Sequence, residues 1–281
     1  MSKWKPRASG MGSYLACNYR AAFDRAIHEG LFTLEKEAKA EIAGKKVSSP
    51  YAAFGTWAHF YLQDALRCEF DGGREKHLPT DEDKQGAAAL HGGDLAATES
   101  AVRHVATNAA KHMPLPRDGR PWRAETACSA RYLQGHLDFL SQDFLDIVDL
   151  KTASRKPPGD RPKPEHIAQV CGAYPALVHE QFGVWPERAH ILYVGSDGLW
   201  AMLVTIDLQT EERKQYIQQT IDYCNFLRSK TFMGIAMPNL GSHCSDMWCP
   251  YTSLCKNKLM PAPSEVFEHG AAFAGMKADG L

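Results

Sequence analysis

The stretch "GHLDFLSQDFLDIVDLKTA", residues 135–153, decides the fold. Two runs of alternating apolar and polar residues flank the turn residues "SQD", and this pattern is typical of a β-hairpin. Because side chains alternate across a strand, Asp149 and Lys151 face the same side of the second strand. Asp138 lies on the first strand and can reach the same surface. These charges either lie on a solvated face or converge to hold a metal ion, and the hairpin alone leaves both interpretations open.

The patterns on either side of the hairpin predict the rest of the fold. Helices are predicted over 12–28, 51–70, about 97–112, 164–183 (kinked or limited by Pro175) and about 208–230, a surface loop over 71–94, and further strands over 122–133, 188–196 and 199–207. An Asp-Gly turn joins the last two strands. We therefore expect an α/β fold with a mixed β-sheet flanked by helices, in a single domain over 1–281 whose core covers about 50–206.

Composition excludes several classes of protein. The chain has 281 residues and a formal net charge of -1, so any nucleic-acid contact would have to come from a local basic patch. No apolar run approaches the roughly 18 residues of a membrane span, and no apolar segment follows the basic start "MSKWKPRASG". We expect a cytoplasmic protein with no membrane partner. The chain lacks a P-loop motif, which argues against ATPase or helicase activity of its own.

The carboxylates of the hairpin suit a hard divalent cation. Mg²⁺ and Mn²⁺ prefer oxygen ligands, and a lysine beside them could stabilise a developing phosphate charge or orient an attacking water. Upstream, "GTWAH" places His59 on a predicted helix, and an imidazole is a suitable additional ligand. Downstream, "QVCGAY" places Gln169 and Tyr174 five residues apart on another helix.

These residues occur in an order that resembles the RecB-like nucleases of the PD-(D/E)xK superfamily. The motifs of that group are Gly-x-x-x-His, Glu, Gly-x-x-Asp, Asp-x-Lys and Gln-x-x-x-Tyr. The matching positions are Gly55 to His59, Glu125, Gly135 to Asp138, Asp149 to Lys151, and Gln169 with Tyr174. The last pair departs from the pattern, because Gln-x-x-x-Tyr would place the tyrosine at position 173, which is Ala173.

The resemblance implies a restriction-endonuclease-like core and a catalytic set made of His59, Glu125, Asp138, Asp149, Lys151 and Gln169. His59, Asp138 and Asp149 would hold Mg²⁺ or Mn²⁺, together with the main-chain carbonyl of Leu150. Lys151 would position or activate water, and Gln169 would orient the site or contact the DNA backbone. The implied reaction is in-line attack of metal-activated water on a phosphodiester.

The C-terminal stretch "HCSDMWCPYTSLC" holds three cysteines, Cys244, Cys249 and Cys255. Three thiols so close together favour a metal site in an intracellular protein, and Cys17 is the natural fourth ligand. The arrangement resembles the iron–sulfur branch of the RecB-like group, which includes the AddB nuclease domain and CRISPR-associated RecB-like exonucleases. There, one N-terminal and three C-terminal cysteines hold a [4Fe-4S] cluster, usually with C-x2-C-x5-C spacing, whereas this chain has C-x4-C-x5-C. Zn²⁺ is the alternative, and His243 could then replace a cysteine.

Such a cysteine site would join the N- and C-terminal segments, 12–28 and 240–260, and so close a loop of the chain.

A basic loop, "KTASRKPPGDRPKPEH", follows the Asp-x-Lys strand and carries Arg155, Lys156, Arg161 and Lys163. Beside a metal site these cations, with Tyr174, are candidates for DNA contacts. The alternative is a solvated proline-rich connector.

We therefore predict a metal-dependent DNA nuclease. By resemblance to the iron–sulfur branch, we expect an exonuclease that acts on single strands or DNA ends, in recombination and repair or in phage DNA processing. A helicase or recombinase is a candidate partner. Two alternatives are a non-catalytic DNA-end-binding scaffold, against which the intact His59, Asp138, Asp149 and Lys151 argue, and a sequence-specific nuclease of the restriction type.

Overall fold

A computed structural model describes residues 3–30, 50–70, 78–229 and 231–232. The chain divides into two compact units, residues 48–220 and a second unit formed from 1–47 together with 221–281. The predicted cluster ligands Cys244, Cys249 and Cys255, with the segment 240–260, lie outside the described residues. The single domain over 1–281 stays a prediction.

The larger unit contains a six-stranded sheet whose strands lie side by side in chain order. They are β1 (Glu69–Phe70), β2 (Arg123–Ser129), β3 (Gln134–Leu140), β4 (Asp146–Ala153), β5 (Arg188–Gly195) and β6 (Ala201–Asp207). The pairs β1–β2 and β4–β5 are parallel, and the other three pairs are antiparallel. The predicted mixed sheet is therefore confirmed, with β1 as an additional edge strand.

Eight α-helices occur among the described residues: α1 (Met11–Ala16), α2 (Asn18–His28), α3 (Pro50–Ala65), α4 (Asp81–Ala88), α5 (Leu95–His112), α6 (Pro164–Ile167), α7 (Tyr174–Phe182) and α8 (Glu211–Leu227). A π-helix, Ala168–Ala173, connects α6 to α7. The boundary between the two units falls within α8. None of the described helices is long and apolar enough to cross a membrane.

Helices cover both faces of the sheet in the larger unit. On one face α3 and α5 pack against the strands, and the core there includes Trp57, Leu62, Val102, Phe139, Val148 and Leu192. On the other face α7 packs against β2 and β3, and the π-helix packs against β4 and β5. Strand β5 is buried at nearly every position, as expected of a central strand with both faces covered.

Strands β3 and β4 separate soon after the hairpin turn. Their ladder contains the pairs Phe139–Val148 and Leu140–Ile147, whereas β4 stays paired with β5 from Asp146 to Ala153. Backbone groups of β4 beyond Val148 that face β3 therefore need other partners, because a buried N–H or C=O is costly to leave unpaired. This opening in the sheet positions the candidate site.

Three predicted boundaries differ from the structure upstream of the sheet. The helix expected over 51–70 ends at Ala65, and the chain turns at Arg67 (φ 52°) into β1. The loop expected over 71–94 contains α4. A capping box formed by Thr80 and Asp83 stabilises the start of this helix. The helix expected over 12–28 is interrupted at Cys17, whose backbone is extended (φ -150°, ψ 101°).

The helix predicted over 164–183 is present, but it is interrupted differently from the expectation. Pro175 lies in the first turn of α7, and the irregularity is the π-helix that precedes it. Proline cannot supply the N–H that would continue an α-helical hydrogen-bond pattern across this point. The sequence located the interruption correctly but did not reveal its π-helical form.

In the second unit, the N-terminal helices pack with the end of α8. The buried Arg25 donates to the carbonyl of Leu227 over 3.0 Å, and Arg228 donates to the carbonyl of Trp4, also over 3.0 Å. Tyr223 donates to the carbonyl of Tyr14 over 2.9 Å. These three donors satisfy backbone carbonyls, so they hold the N-terminal helices to the end of α8.

Candidate active site

The site begins with a carboxylate in the opening between β3 and β4. Asp138 Oδ2 accepts a hydrogen bond from the Leu150 backbone N–H over 2.8 Å, where a continued ladder would have supplied a carbonyl of β3. In a strand, the N–H and C=O of one residue point to the same side. The Leu150 carbonyl oxygen accordingly also faces the opening, and it lies 3.1 Å from His59 Nε2 on α3.

Three side chains form a group that could hold a cation. Ligand atoms of His59, Glu125 and Asp138 all lie within 4.8 Å of one another. A carbonyl oxygen can only accept, so His59 Nε2 carries the hydrogen directed at Leu150. The other ring nitrogen, Nδ1, then keeps its lone pair and lies 3.7 Å from Asp138 Oδ2. This is the common arrangement of a metal-binding histidine whose second nitrogen donates to a backbone carbonyl.

Glu125 joins this group through an unusual backbone. It has φ 50° in the middle of β2, and the ladder passes from Ala124–Phe139 to Thr126–Leu137 without a pair at Glu125. The left-handed conformation is unfavourable for most residues other than glycine and costs roughly 1–3 kcal/mol. Backbone strain of this kind is concentrated at functional sites. Gln63 Nε2 on α3 donates to Glu125 Oε1 over 2.9 Å. Sequence reasoning did not identify Gln63, because its partner is distant in the chain.

Burial and a neighbouring carboxylate change the acidity of Glu125. Removal from water raises the pKa of Glu125, the charge of Asp138 raises it further, and His59 and Gln63 oppose the shift. A carboxylate whose pKa is raised by burial and by a neighbouring carboxylate belongs to a site that a cation would stabilise. The donor set of carboxylate oxygens and one imidazole also suits Mg²⁺ or Mn²⁺. The residues therefore fit a divalent metal.

The buried Asp149 and the half-buried Lys151 form an ion pair beside this group. Asp149 is fully buried, and Lys151 Nζ lies 3.0 Å from its Oδ1 and 2.9 Å from its Oδ2. Burial raises the pKa of Asp149 to about 6; Lys151 opposes this shift and Asp138 adds to it. Burial alone would lower the pKa of Lys151, but the charges of Asp149 and Asp138 outweigh it and raise that pKa. Asp149 is outside the three-residue group, although it was predicted as a ligand.

The π-helix explains the irregular spacing of the last motif. The Tyr174 N–H donates to the Gln169 carbonyl, which is an i to i+5 hydrogen bond. In an α-helix the corresponding bond joins residues four apart, so the π-helix contains one extra residue per turn here. Gln169 Nε2 donates to the Tyr174 hydroxyl, which in turn lies 3.4 Å from Asp149 Oδ1. Single π-helical turns frequently occur at functional sites. The extra residue therefore leaves the glutamine and the tyrosine in contact.

The position of Tyr174 corrects one prediction. We expected this side chain to contact DNA, but only 2% of the residue is exposed. Burial raises the pKa of Tyr174 well above its ordinary value, and the charges of Asp149 and Asp138 act in the same direction. The phenol therefore stays protonated and acts inside the site as a hydrogen-bond donor to Asp149.

The glycine of the first motif allows α3 to approach β4. A Cβ at Gly55 would lie 2.9 Å from Thr152 Oγ1, which is closer than real contacts allow. One helical turn later, His59 reaches the Leu150 carbonyl. The spacing Gly-x-x-x-His thus has a packing reason, because the histidine can only reach the opening if its helix lies close to the strand.

The remaining predicted residues are not members of this cluster. Arg155, Lys156, Arg161 and Lys163 are all exposed, in the segment that follows β4. Cys17 belongs to the other unit, where it is half-buried at the break between α1 and α2.

Comparison with known proteins agrees with this geometry. A family model described as the PD-(D/E)XK nuclease superfamily matches residues 8–256. A search of curated proteins found no significant match to the chain. The matched region contains the whole described site, including His59, Glu125, Asp138 and the pair Asp149–Lys151. The chain therefore belongs to the PD-(D/E)XK nuclease superfamily, whose members are generally metal-dependent nucleases.

Proposed function

We propose that this protein is a metal-dependent DNA exonuclease that acts on single strands or DNA ends. One observation carries the metal-dependent nuclease part of the proposal: the candidate metal group His59, Glu125 and Asp138 lies next to the ion pair Asp149–Lys151 at one opening of the sheet. A carboxylate group that can hold a cation, beside a fixed ammonium, is an arrangement that suits phosphodiester hydrolysis. A non-catalytic scaffold would have no need to bury these charges.

His59, Glu125 and Asp138 would hold the Mg²⁺ or Mn²⁺ ion, and we propose Asp149 as a further ligand. When bound, such a cation polarises a phosphate and lowers the pKa of water so that it can attack. The Leu150 carbonyl stays a proposed ligand, because a carbonyl oxygen that accepts the His59 hydrogen bond keeps a second lone pair for a cation. We propose that the same carbonyl orients the imidazole.

Lys151 supplies a fixed positive charge to the site. Asp149 and Asp138 raise its pKa, so its ammonium stays charged at neutral pH. We propose that it positions the attacking water and stabilises the charge that develops on the phosphate. Gln169 and Tyr174 contribute indirectly, because the tyrosine hydroxyl supports Asp149 and the glutamine amide supports the tyrosine.

The exposed basic segment after β4 is the proposed contact surface for the DNA backbone. Arg155, Lys156, Arg161 and Lys163 are exposed there, and Lys151 lies at the end of the same strand. Each phosphate contact releases counterions, so it steepens the dependence of binding on salt. Neutralising Arg155 and Lys156 together should reduce the log–log salt slope of DNA binding by about two. An unchanged slope would assign this segment to a connector role.

The exonuclease assignment and the cysteine site come from the resemblance to the iron–sulfur branch. We propose that Cys17 binds a [4Fe-4S] cluster, or alternatively Zn²⁺, together with Cys244, Cys249 and Cys255. Its position at the break between α1 and α2 leaves it outside both helices. Anaerobic purification followed by iron, sulfide and zinc analysis tests this proposal. Cys17→Ala should lower the metal content and the Tm together, and full metal content in that variant would exclude Cys17 as a ligand.

Nuclease activity on end-labelled single-stranded and duplex DNA, with Mn²⁺ or Mg²⁺, tests the function directly. We expect degradation from an end by the wild type and loss of that activity in Lys151→Ala. Internal cuts at a fixed sequence would replace the exonuclease proposal with the restriction type. Binding without cleavage in either metal would favour a DNA-end-binding scaffold, and a helicase or recombinase partner could then be sought by copurification.

A further inference from the structure

A histidine and a tyrosine next to Lys151 have no role in the site described so far. His166 lies on α6, three residues before Gln169, and Tyr193 lies on β5 opposite Lys151 in the β4–β5 register. Paired residues of neighbouring strands share a face of the sheet, so Tyr193 and Lys151 lie on the same face. The Tyr193 hydroxyl oxygen lies 2.7 Å from His166 Nδ1.

The hydrogen-bond inventory favours the tautomer of His166 that carries its hydrogen on Nε2. The Lys163 backbone N–H donates to the Tyr193 hydroxyl oxygen over 3.2 Å. A phenol has one hydrogen to donate, and among the described residues its acceptor is His166 Nδ1. The neutral imidazole then carries its hydrogen on Nε2.

The Nε2–H group is available to an external acceptor. His166 is half-buried, and within the described part of the chain its Nε2 makes no hydrogen bond. Burial, together with the positive charges of Lys151 and Lys163, lowers the pKa of His166 to about 3. The imidazole therefore stays neutral at physiological pH and can donate without gaining charge. Because Lys151 and Lys163 also face it, an anion is the favoured acceptor.

We propose that His166 binds the substrate by donating its Nε2–H to a backbone phosphate oxygen of the DNA strand, and that Tyr193 acts as the positioning residue for this donor. The acceptor would lie between Lys151 in the site and the exposed basic segment that ends at Lys163. This inference rests on the proposed DNA cleavage. It adds a contact whose signature differs from that of the basic residues, since a neutral donor releases no counterion.

Equilibrium binding of single-stranded DNA over a series of salt concentrations, with a chelator present to prevent cleavage, separates the two kinds of contact. His166→Ala should weaken binding about tenfold with no change in the salt slope, because it removes one hydrogen bond to a charged acceptor. Lys163→Ala is the matched control and should reduce the slope by about one. With Mn²⁺ present, His166→Ala should raise KM for DNA about tenfold and leave kcat within about twofold.

Two further variants exclude a merely structural effect. His166→Gln can place an amide N–H near the position of Nε2, so it should recover most of the affinity. Tyr193→Phe should weaken binding a few-fold, and adding it to His166→Ala should cause no further loss, because the tyrosine acts through the histidine.

Three outcomes would overturn the inference. Wild-type affinity in His166→Ala would remove the contact, and a reduced salt slope in that variant would make the imidazole a cation. Equal losses in His166→Gln and His166→Ala, with a lowered Tm in both, would reduce the pair to a packing role. Wild-type protein that neither binds nor cuts DNA would instead overturn the proposed function itself, so the two failures are distinguishable.

Discussion

Strand β4 buries two aspartates, and their environments displace their pKa values in opposite directions. Asp146 begins the strand and is 1% exposed, whereas Asp149 is fully buried three residues later. Side-chain alternation places them on opposite faces of the sheet. Burial by itself would raise the pKa of Asp146, but the hydrogen bonds of Arg188, together with the nearby His190 and Arg117, outweigh it and hold that pKa well below the ordinary value. The pKa of Asp149 is raised instead, to about 6.

The difference lies in how completely each carboxylate is compensated. Arg188 donates to both oxygens of Asp146, over 2.7 Å and 2.8 Å, and Arg117 lies 3.6 Å from Oδ2. A bidentate guanidinium satisfies a carboxylate in the geometry that favours its charge. Asp149 has one ammonium and a distant hydroxyl, and Asp138 repels it. A compensated buried charge maintains structure, whereas an undercompensated one marks a site that an ion or substrate completes.

The largest effect should come from Asp149→Asn, which keeps the shape of the side chain and removes its charge. We expect nuclease activity to fall about 1,000-fold, since losing several kcal/mol of transition-state stabilisation corresponds to about three powers of ten. Cleavage of end-labelled DNA in Mn²⁺ measures this loss. Asp146→Asn is the matched control and should retain activity at a temperature where it is folded. Similar losses in both variants would erase the distinction between the two aspartates.

Asp146, in contrast, should matter for the stability of the fold and not for activity. Asp146→Asn should lower the free energy of unfolding by about 2–3 kcal/mol, less than for a fully buried pair because the Arg188 side chain is 33% exposed. The lowered pKa of Asp146 means that its ion pair stabilises the fold above about pH 4, the ordinary range of an unfolded aspartate, and that this contribution disappears as pH falls.

Thermal melts of wild type and Asp146→Asn from about pH 7 to pH 2 test this linkage. The wild-type Tm should fall more steeply than that of the variant in the acidic half of the range, so the two curves converge. Parallel curves would mean that the ion pair contributes no pH-dependent stability.

A divalent cation should stabilise the protein by binding to the carboxylates around Asp149, whose charges are incompletely compensated. At a Mn²⁺ concentration about 100 times its Kd, the free energy of unfolding should rise by about 2.7 kcal/mol. Glu125→Gln removes one proposed ligand charge and should lose most of this increase, as measured by the Tm shift on adding Mn²⁺. Asp146→Asn should keep the full shift although it starts from a lower Tm. A full shift in Glu125→Gln would exclude Glu125 as a ligand.

The smallest effect concerns the π-helix that supports Asp149. Deleting Ala173 restores the Gln-x-x-x-Tyr spacing, and an α-helical i to i+4 contact can then replace the i to i+5 contact. We expect cleavage activity to stay within about tenfold of wild type. A small shift of Tyr174 against Asp149 should raise the activation free energy by about 1 kcal/mol, which changes a rate by less than tenfold. Deleting Ala176 within α7 is the control, and it should be far more damaging. Equal damage from both deletions would show that the π-helix itself is required.

Several parts of the fold were predictable because their signals are local. Alternation of polar and apolar residues predicted β2 to β6, and the ordered motifs identified His59, Glu125, Asp138, Asp149, Lys151 and Gln169. Strand β1 was missed because a two-residue strand has no periodicity. Helix α4 was missed because its polar, glycine-containing sequence is typical of a surface loop, although Thr80 begins it with a capping box. The motif alone did not place Glu125 in the group that could hold a cation.

The sequence by itself determined which residues are candidates for the chemistry, because strand alternation and motif spacing are properties of neighbouring positions. Only the tertiary structure decided how they meet. The separation of β3 from β4 frees the Leu150 backbone for Asp138 and His59, the positive φ of Glu125 turns its side chain toward Gln63, and the π-helix brings Gln169 to Tyr174. Each of these depends on a backbone departure from regular geometry, which packing between distant segments stabilises and local sequence pattern does not record.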